Sequence, residues 1–292
     1  MSDIDYPLIT VIIPCFNYGR FLPEALESIR SQDYPNIEII VVDDGSTDDT
    51  REIAERNRKV KYIYQVNQGL SAARNTGIKN SDGQFLIFLD ADDWLLPDAI
   101  NINLSYLKQN KEFAFVSGAF EMVFAESGKI ENNIREVKSD HYLHLLQGNY
   151  IGVPATVLYR RWIFDEVLFD TSLKSCQDYD LYFRITRKYP VFHHTKKIAG
   201  YRIHTSNMSS NIQAMLLETL CVLERQKNHL RTFSEKKSYK KGKKNWKYYY
   251  CRELYQKLRL GKIPVSGRDL MTFIKHKPIF LFRYILTKIL LR

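Results

Sequence analysis

Continuous apolar runs alternate with amphipathic stretches through the first third of the chain. The runs are rich in β-branched residues, which is typical of strands buried on both faces of a parallel sheet. The stretches between them carry apolar residues at helical spacing. The predicted elements are a strand at Leu8–Ile13, a helix around Phe21–Ile29, a strand at Ile37–Val42, a helix opened by Ser46–Asp49, a strand at Val60–Tyr64, a helix at Leu70–Lys79 and a strand at Phe85–Leu89. This order predicts an α/β fold with a mostly parallel sheet flanked by helices.

The pattern is weaker after residue 93. It predicts a helix at Pro97–Gln109, a strand at Phe113–Val123, a polar loop at Glu126–Lys138, a strand at Thr156–Tyr159, a helix at Tyr179–Lys188 and a strand or hairpin at Val191–Ile203. From about residue 212 onward the signals are only helical, with breaks expected at Lys240–Lys244 and Gly261–Gly267. We therefore predict an α/β domain at residues 1–211, with halves of about 6–95 and 96–211, and a C-terminal helical extension at 212–292.

The charges divide along the same boundary. The chain of 292 residues has a formal net charge of +10, but residues 212–292 hold 20 Lys and Arg against 5 Asp and Glu, whereas the remainder holds 23 against 28. The basic extension, rather than the acidic body, therefore needs an anionic partner. Four scattered cysteines predict reduced thiols. Without a signal-peptide pattern or an apolar stretch long enough to span a bilayer, we expect a cytoplasmic protein.

Acidic residues follow two of the predicted strands. Asp43 and Asp44 come directly after the second strand, and Asp90 and Asp92 come directly after the fourth. Open α/β sheets bind their ligands at the carboxyl edge, where these side chains are expected to lie. Carboxylate oxygens at such an edge suit Mg²⁺ or Mn²⁺ together with the phosphate oxygens of a substrate. The spacing therefore predicts an enzyme that uses a divalent metal and a phosphorylated substrate.

Four short segments stand in order along this part of the chain: 11–17 (VIIPCFN), 42–48 (VDDGSTD), 69–75 (GLSAARN) and 88–93 (FLDADD). In this order they resemble the motifs of family 2 inverting glycosyltransferases with the GT-A fold. The resemblance continues more loosely through 177–181 (QDYDL) and 201–204 (YRIH), so it covers about residues 6–210. It implies a Rossmann-like GT-A fold for the body, and it does not include the basic extension.

The resemblance also implies the reaction. A sugar moves from a nucleoside diphosphate donor, here expected to be a UDP-sugar, to a hydroxyl group of a saccharide acceptor that is expected to be lipid-linked. The expected setting is the synthesis of a cell-surface polysaccharide or glycan. The displacement requires neutralisation of the diphosphate, removal of the acceptor proton and alignment of the reacting ends.

Three residues are implied for the metal and the diphosphate. Asp92 is the predicted metal ligand, and Asp90 is predicted to meet the ribose or, through water, the metal. The alternative for both acids is capping of the helix near Pro97, and Asp93 can serve as that cap. His204 lies where some members of the fold place a late ligand, since a neutral imidazole binds Mn²⁺ and a protonated one pairs with phosphate.

Four further residues are implied for the donor. Asp44 is predicted to accept a hydrogen bond from a uracil-type N–H, since a carboxylate is only an acceptor. Pro14 and Phe16 are predicted to shape the loop under the base, and Arg74 to reach the diphosphate or the base. The alternatives are a turn position for Asp44 and a surface or helix-packing position for Arg74.

Asp178 is the predicted general base, because the family places an acid at the start of a helix below the acceptor. The preceding position holds Gln177 where Glu is usual, which removes a charge that often orients the acceptor sugar. Asp180 is the competing base, but two acids spaced two apart on a helix point in different directions. The other alternative for Asp178 is a structural position at the helix start. His193 and His194 are interpreted as an edge-strand pair without function.

The extension combines cations with aromatic and apolar residues. Seven lysines fall within Lys236–Lys247, and a final segment places apolar residues on one helical face, namely Ile279, Phe282, Ile285, Leu286, Ile289 and Leu290. Such a segment can lie in an anionic membrane interface, pack on the protein or a second copy, or accompany a nucleic-acid patch. We favour the membrane and expect a peripheral protein on the inner face of the cell membrane, without a nucleic-acid partner.

Two other functions remain as alternatives. A nucleotidyltransferase that makes an activated sugar needs a Gly-rich phosphate loop with a cation after the first strand, and residues 16–20 (FNYGR) match this poorly. A non-catalytic adaptor for nucleotide sugars or membranes would not need the Asp-x-Asp motif or Asp178.

Overall fold

The computed structural model describes residues 6–290, with side chains described through residue 287. The described chain forms two compact units. The first comprises residues 6–142 and 150–204, and the second comprises residues 143–149 and 205–290. The predicted division into a catalytic domain at 1–211 and an extension at 212–292 stays a prediction.

The first unit begins with four parallel strands that are connected by helices. They are β1 (Ile9–Cys15), α1 (Leu22–Arg30), β2 (Ile37–Asp43), α2 (Thr50–Glu55), β3 (Val60–Tyr64), α3 (Leu70–Lys79) and β4 (Phe85–Phe88). The strands pair in the order β3-β2-β1-β4, and every residue of the central β1 is buried. The alternation of elements predicted for this region is confirmed. It aligns the carboxyl ends of β1, β2 and β4 along one edge.

A second series of elements extends this sheet. It comprises β5 (Trp94–Leu95), α4 (Ala99–Gln109), β6 (Phe115–Phe124), β7 (Ile130–Asn133), α5 (His141–Gln147), β8 (Val157–Arg160), α6 (Gln177–Thr186) and β9 (Phe192–Ile203). The sheet continues from β4 in the order β8-β6-β9-β5, and β7 pairs with β6. The pairs of β8 with β4 and β6 are antiparallel, whereas β6 and β9 run parallel.

Several predictions for this second series are wrong in detail. The predicted loop at 126–138 contains β7, whose sequence Ile-Glu-Asn-Asn is polar and therefore lacks the apolar signal of a strand. The elements β5 and α5 are too short to produce a periodic pattern. For Val191–Ile203, where a strand or a hairpin was predicted, the strand is confirmed, since residues 192–203 form one continuous strand.

The second unit is helical. Besides residues 143–149 it contains α7 (Ile212–Gln226), α8 (Phe233–Arg259), α9 (Gly267–His276) and α10 (Pro278–Leu290). Its core is formed by buried apolar side chains on all four helices, among them Leu216, Leu254, Phe273 and Phe280. Among the described residues, none of the helices combines the length and the apolar character that a bilayer crossing requires.

One of the two predicted helix breaks is wrong and the other is confirmed. The helix α8 runs without interruption through Lys240–Lys244. Gly242 is tolerated there because it packs against the backbone of Leu146, where a Cβ atom would lie 1.8 Å from the carbonyl oxygen. The break between α8 and α9 occurs where it was predicted, with Gly261 in the left-handed region at φ +67° and Ser266 capping α9.

Candidate active site

The loops that follow β1 and β2 are joined by hydrogen bonds. Asn17, at φ 56°, accepts from the backbone N–H of Thr47 at 2.8 Å, and its own N–H donates to Ser46 Oγ at 2.9 Å. The N–H of Gly19 donates to Asp48 Oδ2 at 2.9 Å. These bonds hold the two loops together at the carboxyl edge of the sheet.

Asp44 holds the segment that precedes α3. Its buried carboxylate accepts from Gln65 Nε2 at 2.6 Å and from the backbone N–H groups of Gln68 and Gly69 at 2.9 and 2.8 Å. The neighbouring Asp43 is also buried and accepts from the hydroxyl of Tyr62 at 2.7 Å. The carboxylate of Asp44 thus fixes the loop before α3. Its contact with a nucleobase stays a prediction.

The two residues predicted to lie under the base differ in exposure. Pro14 is buried within β1 and pairs in register with Val42 of β2. Phe16 follows at the end of the strand and is 46% exposed. The ring of Phe16 is therefore available for contact with a ligand at this edge, whereas Pro14 shapes the backbone from within the sheet.

The acidic turn after β4 contacts the end of β9. Asp92 Oδ2 lies 3.0 Å from His204 Nε2, and Asp93 Oδ1 accepts from the backbone N–H of Arg202 at 3.0 Å. Asp93 therefore joins the turn to β9, while Asp98 occupies the N-cap position of α4. Capping of α4 by Asp93, the local alternative suggested by the sequence, is wrong.

Aromatic and cationic side chains surround His204. Its ring stacks on Phe21 with a centroid distance of 4.9 Å and an interplanar angle of 25°. Arg202 donates to the backbone oxygen of Asp92 at 3.0 Å and to Glu24 Oε2 at 2.6 Å. Arg202 belongs to the YRIH segment, although the sequence alone assigns it no role. Its position in that segment was the signal that could have found it.

The electrostatics of this turn favour a cation. Burial and then the negative charge of Asp90 raise the pKa of Asp92, although its hydrogen bond with His204 acts in the opposite direction. Burial and then the charges of Asp92 and Asp90 raise the pKa of Asp93 well above its usual range. The neighbouring carboxyl groups thus disfavour the ionisation of Asp92 and Asp93, which a bound cation would relieve.

The side chains of this turn fit a divalent metal that is shared with a substrate. Across residues 6–290, no group of three or more His, Cys, Asp or Glu side chains is arranged to hold a metal ion by itself. Asp92 and His204 together offer a carboxylate and an imidazole, both suitable for Mn²⁺. Mg²⁺ and related ions in nucleotide sites take one or two carboxylates and complete their shell with phosphate and water oxygens.

Arg74 is buried between two acidic residues. It is 2% exposed, and its guanidinium donates to Asp90 Oδ1 at 2.7 Å. It lies over the ring of Phe169 at 5.1 Å, and its positive charge acts on Asp178. Its Nε atom has no hydrogen-bond partner within the described part of the chain. The surface alternative for Arg74 is therefore wrong, and its contact with a donor stays a prediction.

Asp178 lies in the first turn of α6. Burial raises the pKa of Asp178 to about 6, while the charge of Arg74 and backbone N–H groups act in the opposite direction and Asp90 adds to the increase. A carboxylate with a pKa near neutrality suits a general base. The competing Asp180 is 5% exposed and pairs with Arg184 at 2.8 Å, which leaves Asp178 as the better placed acid.

Gln177 has a structural role in this region. Its side chain is buried, and Nε2 donates to the backbone oxygen of Leu173 at 3.3 Å. An inward-facing amide explains how the chain accommodates Gln in place of the usual Glu, because an unpaired carboxylate there would be costly.

His193 and His194 are buried core residues. His193 Nδ1 lies 2.8 Å from Ser117 Oγ, and His194 Nε2 lies 2.8 Å from Asn103 Oδ1. Burial lowers the pKa of each ring to about 4. The interpretation as an edge-strand pair without function missed these polar partners, which stand on β6 and α4 and are distant in sequence.

Comparisons with known proteins identify chains of similar sequence and fold. The family model described as "Glycosyl transferase family 2" matches residues 10–168. An uncharacterized glycosyltransferase of Rickettsia felis is 33% identical over 200 residues, which cover 67% of this chain and 33% of that protein. The chain spans about a third of the length of this relative and of those from Rickettsia conorii and Rickettsia bellii.

Two solved structures show the fold. TarS 1–349 of S. aureus in complex with UDP-GlcNAc has a TM-score of 0.62 and 18% identity, and the match covers 94% of this chain and 80% of the solved 1–349 chain. The mannosyltransferase PcManGT from Pyrobaculum calidifontis, in complex with GDP-Man and Mn²⁺, has a TM-score of 0.64 and 16% identity, with coverage of 98% and 85%. The predicted GT-A-like α/β architecture with C-terminal helices is confirmed.

Proposed function

This chain belongs to glycosyl transferase family 2, and we propose that it transfers a sugar from a nucleoside diphosphate donor to a hydroxyl group of a saccharide acceptor with inversion at the anomeric carbon. The observation that carries the proposal is the grouping of Asp90, Asp92, Arg74 and His204 at the end of β4, with the charge of Arg74 also acting on Asp178. This grouping combines a cation-binding turn with a carboxylate of raised pKa, which are the two functions that such a transfer needs.

Asp178 is the general base of the proposed reaction. As the acceptor oxygen forms a bond to the anomeric carbon, the proton of the acceptor hydroxyl passes to a carboxylate oxygen of Asp178. The bond between the anomeric carbon and the phosphate oxygen breaks, and its electron pair leaves with the nucleoside diphosphate. Attack on the face opposite the leaving group inverts the configuration. The pKa of about 6 keeps Asp178 largely ionised at neutral pH and still basic enough to accept a proton.

Asp92 and His204 are the residues that would hold Mg²⁺ or Mn²⁺ together with the diphosphate. A bound divalent ion neutralises the charge that develops on the leaving diphosphate. Asp90 is held at 2.7 Å from Arg74, which fits a contact with the ribose or with a metal-bound water. Arg202 holds the turn in place, because its side chain donates a hydrogen bond to the backbone oxygen of Asp92.

The donor is proposed to be a UDP-sugar. The backbone N–H of Asp44 donates to the oxygen of Cys15 at 2.8 Å, and the exposed Phe16 follows Cys15 in the chain. A carboxylate acceptor and an exposed ring on these adjoining loops suit a base that offers an N–H and a flat face. The fold is shared with TarS, which has been solved with UDP-GlcNAc, and also with PcManGT, which has been solved with GDP-Man and Mn²⁺.

The acceptor is proposed to be a lipid-linked saccharide at the inner face of the cell membrane, in the synthesis of a cell-surface glycan. The charge balance of +15 in residues 212–292 supports a location at an anionic surface. A peripheral enzyme in that position meets both a cytoplasmic nucleotide sugar and a membrane-bound acceptor.

The test begins with the full chain and a panel of UDP-, GDP- and dTDP-sugars, each with and without Mg²⁺ or Mn²⁺. The midpoint temperature of thermal unfolding should rise with one class of nucleotide sugar, and this rise should require the metal. The stabilising donor should then be consumed in a transfer or hydrolysis assay. Stabilisation without metal, or no turnover of any stabilising donor, would contradict the proposal.

A further inference from the structure

The C-terminal helices carry an apolar surface that faces solvent. On α10 the face formed by Ile279, Phe282, Ile285 and Leu286 is exposed, whereas Phe280 and Tyr284 on the opposite face are buried in the core of the second unit. The contrast is large, since Phe282 is 59% exposed and Phe280 is 1% exposed. The two remaining members of the predicted face, Ile289 and Leu290, lie outside the residues whose side chains are described.

The neighbouring helix α9 has the same two-sided character. Met271 and Ile274 are 61% and 50% exposed, whereas Phe273 is fully buried against the other helices. Exposed apolar residues that occur singly are normal on protein surfaces. Six large apolar side chains on two consecutive helices form a repeated pattern, which marks an interaction surface.

A row of lysines on α8 belongs to the same side of the unit. Lys237, Lys241 and Lys244 are spaced four and three residues apart, so they share one face of the helix. All three are exposed and make no hydrogen bond or ion pair with the residues that the structure describes. Lys243, one residue away from this row, is instead paired with Glu224 at 2.8 Å.

Contacts between α8 and α10 show how the two features are related. The row of Lys237, Lys241 and Lys244 continues at the same spacing to Tyr248 and Tyr255. The ring of Phe280 lies 5.4 Å from that of Tyr248 and 5.8 Å from that of Tyr255. The helix α10 therefore covers the stripe of α8 that the lysines occupy in the preceding turns. The outward face of α10 and the lysine row therefore lie on the same side of α8, and both face solvent.

We infer that the outward face of α9 and α10 and the lysine row of α8 together form one docking surface for an anionic bilayer, with the apolar face in the acyl boundary and the lysines among the head groups. The inference rests on the proposed function, for which it supplies the surface that meets the membrane. A bilayer interface accommodates both parts, because apolar side chains and cations occupy adjacent depths there.

Two other occupants fit the surface less well. Residues 212–292 carry a net charge of +15. A second copy of the chain would bring two such segments together, and the repulsion between like charges opposes this association. A nucleic acid would pair with the lysines but would leave the apolar face of α10 in water.

The test is flotation of the full-length chain with vesicles of phosphatidylglycerol and phosphatidylcholine, and with vesicles of phosphatidylcholine alone. The wild type should float with the anionic vesicles at low salt and much less with the neutral ones. The double variant Phe282→Asp/Ile285→Asp should lose flotation. The triple variant Lys237→Gln/Lys241→Gln/Lys244→Gln should bind anionic vesicles about 10- to 100-fold more weakly, since each lysine contributes about fivefold or less.

Matched controls change the same side-chain types elsewhere. Leu217 on α7 is 56% exposed, and Leu217→Asp should leave flotation unchanged. The triple variant Lys59→Gln/Lys79→Gln/Lys111→Gln removes the same charge from exposed positions of the first unit and should also bind normally. Unchanged thermal unfolding and donor hydrolysis in every variant show that the fold is intact.

Three results would overturn the inference. The first is failure of the wild type to bind anionic vesicles, and the second is full binding by the Phe282→Asp/Ile285→Asp variant. The third is self-association of a wild type that binds no vesicles, if the Phe282→Asp/Ile285→Asp variant abolishes that self-association. Absence of turnover with every donor would contradict the proposed function alone, because flotation is measured without substrate.

Discussion

The two compact units use charge in opposite ways. In the first, the charged side chains of the candidate site are largely buried and paired, as in Arg74 with Asp90 and Asp92 with His204. In the second, Lys237, Lys241 and Lys244 on α8 are exposed and unpaired within the described residues, and exposed apolar side chains lie on α9 and α10. Burial changes the consequence of a charge, since a buried charge alters the pKa of its neighbours and an exposed one acts mainly through long-range attraction. The first arrangement suits chemistry, and the second suits docking.

The comparison predicts that removing one charge has a large effect in the first unit and a graded effect in the second. The largest effect is expected for Asp92→Asn, which should reduce turnover to background and remove the metal-dependent part of donor binding. A neutral amide cannot replace a carboxylate that holds a divalent ion against a diphosphate. The measurement is the increase in unfolding temperature that the donor causes, compared with and without Mn²⁺ in the wild type and the variant. Normal turnover in this variant, or undiminished wild-type activity in EDTA, would remove the metal role.

The next largest effect is expected for Asp178→Asn. Donor affinity should stay within a few-fold, while the transfer rate should fall by on the order of 10²–10⁴, as expected for the loss of a general base. The matched control is Asp180→Asn, which removes an acid of the same helix that is paired with Arg184 and should change the rate far less. Equal loss of donor binding in Asp178→Asn would mark this residue as structural.

The same variant should differ in the pH dependence of stability. The pKa of Asp178 is about 6 in the folded protein and about 4 in an unfolded chain, so the folded state holds a proton between these values that the unfolded state has lost. Its contribution to the free energy of unfolding therefore falls as the pH rises from about 4 to 6. The free energy of unfolding of Asp178→Asn, measured relative to that of the wild type, should therefore be higher at pH 7 than at pH 4. An identical difference at both values would contradict the raised pKa.

A smaller and more specific effect is expected for Arg74→Gln. The wild-type rate should fall below about pH 6, as Asp178 becomes protonated. Loss of the buried cation removes an influence that lowers the pKa of Asp178, so the acidic limb of the profile should move to higher pH, by on the order of one pH unit. The variant should also be less stable, because Asp90 loses its partner. An acidic limb at its original position would show that Arg74 does not act on the base.

The smallest effect should come from the second unit. Thr232 caps α8 by accepting from the N–H of Glu235 at 3.1 Å, and the side chain of Glu235 accepts from Thr232 in return. Thr232→Ala should lower stability by about 1 kcal/mol without changing donor hydrolysis. Chemical denaturation measures the first quantity and a hydrolysis assay the second. A loss of hydrolysis as large as that in Asp178→Asn would break the distinction between the two units.

The parallel half of the sheet was predictable because its strands are buried and its helices amphipathic. Apolar periodicity therefore carries the information for β1 to β4 and α1 to α3. The polar strand β7 and the short elements β5 and α5 were not predictable, because they depend on pairing partners far along the chain. The unbroken α8 was missed for a related reason, since Gly242 is favoured by its contact with Leu146 rather than by local propensity.

The candidate site shows the same limit. Motif resemblance predicted candidate residues for this site, but it could not indicate that Arg74 is buried against Asp90 or that Asp44 is engaged by the loop before α3. The roles of Arg202 and Gln177 also depend on contacts between distant segments. Side-chain chemistry can thus be read from sequence, whereas the pairing that tunes it requires the fold.

The most direct test of the central claim is the anomeric configuration of the first product. The full chain is incubated with its stabilising donor and metal, and the sugar released or transferred is followed by ¹H NMR before anomers interconvert. Direct displacement assisted by Asp178 predicts a product whose configuration is opposite to that of the donor. A product that retains the donor's configuration would contradict the account.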